Sequence, residues 1–146
     1  MAASITWYAK LEGLAEFEET TDFYAGSYDS EHEIKVDLQI WNNRYGKTNI
    51  SNVENFDLVF YFDNLEDTAL YDYCNVIYNG SALPFSISGY KAIVDLPSVI
   101  LYGYANNGTL EQGSANCLQL QFVFNAGTAR LKTNDLKSLY FEILPR

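Results

Sequence analysis

Polar and apolar residues alternate through Glu33-Ile34-Lys35-Val36-Asp37-Leu38-Gln39-Ile40 without a fault, and the alternation breaks only at Trp41. A period of two places successive side chains on opposite faces, so this stretch predicts a half-buried strand with Ile34, Val36, Leu38 and Ile40 inward. Phe56, Leu58, Phe60 and Phe62 alternate in the same way, as do Leu118, Leu120, Phe122 and Phe124, and then Leu139, Phe141 and Ile143. Weaker strand signals lie at Ile5 to Lys10, Cys74 to Tyr78, Pro84 to Ser88, Tyr90 to Asp95 and Val99 to Tyr104. One short helix is expected near residues 65–73, where Asn64 can cap and Leu65, Ala69 and Tyr73 share a face.

The pairs Tyr45-Gly46, Asn79-Gly80, Ser88-Gly89, Asn107-Gly108 and Ala126-Gly127 punctuate these segments with residues that tolerate positive φ. Residues 18–31, rich in acids, and residues 105–116, low in apolar character, are the expected long loops. With 146 residues, the pattern predicts one domain over 1–146: an all-β antiparallel sandwich with jelly-roll or Greek-key connections, a closed barrel being the alternative.

Composition narrows the function. Apolar residues make up 48% of the chain and aromatics 16%, enough for a substantial core. A formal charge of −10 repels a nucleic-acid backbone, and no basic stripe offsets it, so no nucleic-acid partner is expected. No apolar run reaches the length of a membrane helix, and the first residues lack the basic and apolar regions of a Sec signal. The expectation is a soluble protein made in the cytoplasm, with no membrane partner.

Candidate chemistry is sparse. His32 is the only histidine, which leaves no triad base and nearly excludes zinc; it is expected at the surface. Cys74 and Cys117 read as two small buried hydrophobes, with a disulfide as the other option. Oxygen ligands gather at Asp63 to Asp67 and at Asp22 to Glu31, but neither has the order of a helix-loop-helix calcium loop. No catalytic residue, cofactor or metal is therefore assigned, and the chain is not expected to be an enzyme.

The surface candidates are aromatic and amide-rich. Trp41, Asn42, Asn43, Arg44 and Tyr45 follow the most regular strand, and Trp41 falls by parity on the face opposite Ile40. Tyrosine, tryptophan and arginine are common interface anchors; alternatively Trp7, Trp41 and Tyr45 supply a stacking platform for a sugar and Asn42 and Asn43 its amide hydrogen bonds. A third reading is purely structural: the strand bulges at Trp41, the ring folds over the sandwich edge, and the two asparagines form the turn. Tyr102 and Tyr104 carry the same ambiguity, with packing favoured over a ligand platform.

With IKVDLQIWNNRYG and NFDLVFYFDN as its clearest strands, this acidic, Tyr-, Asn- and Phe-rich chain resembles in type the small all-β accessory proteins of tailed-phage virions, meaning capsid decoration and head-fibre or attachment proteins. The resemblance implies attachment to a capsid or tail lattice, symmetric association with partners or with copies of itself, and stabilisation or adhesion in place of catalysis. A carbohydrate-binding module with glycan partners is the alternative expectation.

Overall fold

The computed structural model describes residues 2–11, 15–20, 24–28, 33–62, 68–125 and 137–145. His32, the Asn64 cap, the Ala126-Gly127 turn and both acidic clusters considered for calcium, Asp22 to Glu31 and Asp63 to Asp67, lie wholly or mainly outside them. The strands are β1 (Ile5–Leu11), β2 (Glu18–Thr20), β3 (Tyr24–Tyr28), β4 (Glu33–Asn42), β5 (Phe56–Phe62), β6 (Cys74–Tyr78), β7 (Ser81–Leu83), β8 (Phe85–Ser88), β9 (Lys91–Val94), β10 (Cys117–Asn125) and β11 (Lys137–Pro145). They form two antiparallel sheets, one in the order β2-β1-β4-β10-β6-β7 and the other β3-β11-β5-β9-β8.

Connectivity identifies the type of sandwich. Taken in chain order as one to eight, strands β3, β4, β5, β6, β7, β9, β10 and β11 fall in the orders 1-8-3-6 and 2-7-4-5. That is the two-Greek-key arrangement of a jelly roll. The hairpin β1-β2 extends one sheet beyond β4, and β8 extends the other beyond β9.

The core follows the alternation. Val36, Leu38 and Ile40 of β4 lie opposite Phe122, Leu120 and Leu118 of β10, and all six are buried. Phe60 of β5 meets Phe122 edge-on, with ring centroids 5.2 Å apart, and Phe62 meets Phe124 at 5.0 Å, so aromatic contacts join the two sheets. Tyr71 enters the same core, and its hydroxyl donates to the Tyr90 carbonyl.

The short helix expected near 65–73 is present as a 3₁₀ helix at Thr68–Tyr73. Two expectations change. The acidic stretch 18–31 contains β2 and β3, short strands whose pairing comes from β1 and β11 and not from a hydrophobic pattern of their own. Val99 to Tyr104 forms no strand beyond a single bridge from Leu101 to Val53. Amide side chains replace the ladder there: Asn42 and Asn43 donate to the carbonyls of Leu101, Gly103 and Tyr104, and Asn52 accepts from the Gly103 N–H.

Two hairpins use their predicted turns, Asn79-Gly80 between β6 and β7 and Ser88-Gly89 between β8 and β9. Asn79 and Gly80, at φ 50° and 79°, join β6 to β7 as a two-residue loop with both residues left-handed, which matches the sheet twist. In the turn after β4, by contrast, the positive φ values fall on Asn43 (60°) and Tyr45 (64°). Gly46 is needed for space, since a Cβ there would lie 1.8 Å from Asn43 Oδ1.

Candidate functional site

Cross-strand pairing separates the two tryptophans. Trp7 is paired with Ile40, faces the interior and packs partly buried against the core. Trp41 is paired with Thr6 and Cys117 and faces outward, as parity predicts. They lie on opposite faces of one sheet, so they cannot form one platform.

Although it points away from the core, Trp41 is fully buried, with 0% exposure. Residues 105–116 fold back across the outer sheet face and roof it. Within them Thr109 caps a single helical turn, α1 (Leu110–Gly113), and a Cβ at Gly113 would lie 2.6 Å from the Trp41 ring. The indole N–H donates to Gln39 Oε1 at 3.0 Å, so the polar end of the ring is satisfied without water. Trp41 is thus the centre of a small second layer and is unavailable as an exposed anchor.

Asn42 and Asn43 are also buried, and their amides tie chain segments together. Asn42 Nδ2 donates to the Ser51 and Leu101 carbonyls at 2.9 and 3.2 Å, while its Oδ1 accepts from the Ser4 N–H at 3.0 Å. Asn43 Nδ2 reaches the Thr48, Gly103 and Tyr104 carbonyls at 2.8–3.2 Å. From the roof, Asn106 donates to the Asn43 carbonyl at 2.8 Å, and Asn116 donates to the Asn42 carbonyl at 3.0 Å. Buried backbone carbonyls that no sheet can pair are satisfied by four buried side-chain amides.

Only Arg44 and Tyr45 of the hexapeptide 41–46 present side chains at the surface. Tyr45 is 61% exposed and its ring lies against Gly108, where a Cβ would come within 2.1 Å of it. The Arg44 guanidinium sits over the rings of Tyr8, Trp41 and Tyr45 at 4.1, 4.7 and 5.0 Å. Tyr8 joins them because it pairs with Gln39 on the same outer face. Between these residues, Phe17 and the roof runs an open groove of about 860 Å³, also lined by Glu16 and Glu111.

No family model, curated protein or solved structure matches the chain. Its chemistry is therefore read from its own residues.

Other surface features are weaker candidates. On the outer face of the second sheet, Tyr61 stacks on Tyr140 at 5.4 Å and meets Tyr90 edge-on. The Tyr61 hydroxyl donates to Glu142 at 2.7 Å, and Lys91 pairs with the same carboxylate at 3.3 Å, so the polar groups of this cluster satisfy one another. Burial, reinforced by Glu142, pushes the Tyr61 phenol well above its ordinary range. Tyr102 and Tyr104 stack at 4.9 Å, with Tyr104 half exposed. A cavity of about 150 Å³ beside Phe56 and Leu96 is below the 300–1,000 Å³ typical of ligand pockets.

The thiols offer no nucleophile. Burial raises Cys74 far above the usual thiol range and pushes Cys117 up to about 12. Cys74 pairs with Phe124 on β10, seven residues from Cys117, or about 24 Å at a strand's rise, far beyond disulfide reach. Cys74 is buried as expected, whereas Cys117, on the outer face beside Trp41, is partly exposed. In native protein Cys74 is expected to stay unreacted with a thiol reagent until denaturant is added; its rapid modification in buffer would contradict its placement. Among the described residues no group of three His, Cys, Asp or Glu side chains could hold a metal, and no helix is long and apolar enough to cross a membrane.

Proposed function

We propose that the protein is a non-catalytic attachment module, one that joins a larger assembly and recognises a glycan-bearing surface through the outer-face groove. The observation that carries this reading is the groove itself: the exposed Tyr45 ring, the half-buried Tyr8 and Phe17 and an arginine gathered along an open groove of ligand size, on a base held by buried amides. A rigid base lowers the ordering cost of binding.

Ring faces set beside hydrogen-bonding side chains favour a saccharide over a protein contact for this particular surface. Sugar rings present C–H faces to Tyr45 and Tyr8 and hydroxyls to the surrounding carboxylates and amides. Jelly-roll sandwiches serve both viral capsids and lectins, so the fold is compatible with the tailed-phage accessory type that the sequence resembles, at the level of analogy alone. In that setting the module would sit on a capsid or tail and contribute adhesion.

Probing an array of neutral and acidic glycans with the intact chain and with Tyr45→Ala tests the reading. Retention of a defined set of glycans is expected, weakened at least fivefold by Tyr45→Ala, as for loss of an interface hot spot. An array with no hits, or hits that Tyr45→Ala leaves unchanged, would count against it.

A further inference from the structure

Among the described residues Arg44 has no acceptor. Its guanidinium carries five N–H donors, yet among the described residues it makes no hydrogen bond or ion pair, and its Nε is buried without a partner. This happens in a chain with nineteen acidic residues against nine basic ones. Three aromatic rings surround the cation, with their centroids 4.1–5.0 Å from it, but ring faces satisfy none of its N–H groups. A planar fork held in this way is matched by a carboxylate, which accepts two parallel N–H bonds.

The remaining lining sets the rest of the ligand. Tyr8 and Tyr45 flank the guanidinium with apolar ring surface. Glu16 and Glu111, both exposed, line the same groove; they accept hydrogen bonds from hydroxyls and repel negative charge, so one carboxylate is tolerated where Arg44 offsets them and each further one is opposed. We propose that the groove takes a saccharide bearing a single carboxylate, a sugar of the uronic-acid class, with its carboxylate on Arg44 and its ring against Tyr45. A polyanionic glycan is disfavoured by those two acids and by the charge of −10. The inference rests on the recognition reading of the groove and adds the charge of what is recognised.

The test is an NMR titration of the intact chain with glucuronate, with its neutral amide glucuronamide, and with glucose. Glucuronate is expected to shift the resonances of Tyr8, Arg44 and Tyr45 saturably and to bind at least tenfold more tightly than either neutral sugar. Arg44→Gln should erase that preference, and added salt should weaken glucuronate alone. If Arg44→Gln disturbs the aromatic stack, the amide comparison on the unaltered chain still decides. Equal binding of all three sugars, abolished by Tyr45→Ala, would overturn the carboxylate inference while leaving groove recognition standing. No shift at these residues with any of the sugars, together with an empty glycan array, would overturn both.

Discussion

Trp41→Ala is expected to lower the free energy of unfolding by about 3–5 kcal/mol, the cost of truncating a large buried aromatic. The ring has no accessible surface, fills the space beneath Gly113 and supports Arg44 from below. Its loss leaves a cavity that the amide-tied roof cannot readily collapse into, and it removes the partner of Gln39 Oε1. Urea unfolding of the variant beside the intact chain measures the effect as a lowered midpoint at nearly constant slope. An exposed anchor would behave differently, since surface substitutions away from such features stay within about 0.5 kcal/mol.

The second large effect belongs to Asn43. Asn43→Ala removes a donor shared among the Thr48, Gly103 and Tyr104 carbonyls and puts a Cβ-bearing residue without a local hydrogen bond at φ 60°. The Gly103 and Tyr104 carbonyls keep donors from the Ile50 N–H and from Asn106 and Asn116, so the loss is that of the amide's own hydrogen bonds, about 0.5–1.5 kcal/mol, and of a left-handed alanine, about 1–2 kcal/mol; a loss of about 2–3 kcal/mol is expected. Asn43→Gly separates the two causes because glycine carries no penalty at that φ. The glycine variant should recover about 1 kcal/mol relative to alanine. Equal stability of the two variants would assign the whole effect to the lost amide.

How legible these features are in the sequence depends on what each is made of. The sandwich is legible because its inward positions alternate: Val36, Leu38 and Ile40 meet Leu118, Leu120 and Phe122 in the register that their period implies. Strands β2 and β3 are not, because Glu18-Glu19-Thr20 and Tyr24-Ala25-Gly26-Ser27-Tyr28 carry no period of their own and are strands only beside β1 and β11. Polar edge strands are also a common way to blunt an open sheet edge.

The site was half legible for a related reason. Parity places Trp41 on the outer face, but what lies against its ring is Gly113, a glycine with no hydrophobic signal. Low hydropathy over 105–116 reads as a solvated loop, whereas Asn106 and Asn116 use that polarity to bind the roof to β4 and the turn beyond it. Asn42 and Asn43, which looked like sugar ligands beside an aromatic, are buried ties. Tyr8 was missed because its importance comes only from pairing with Gln39 next to Arg44.

Both the groove and the burial of Trp41 depend on residues 105–116 lying over the outer sheet face. Hydrogen exchange of the Trp41 indole N–H, followed by NMR in native buffer, measures that directly. With the bond to Gln39 Oε1 beneath a closed roof, exchange is expected only through opening, slowed by orders of magnitude relative to a free indole. Exchange at the rate of an exposed tryptophan would mean that the roof is open, and would contradict both the buried layer and the groove built on it.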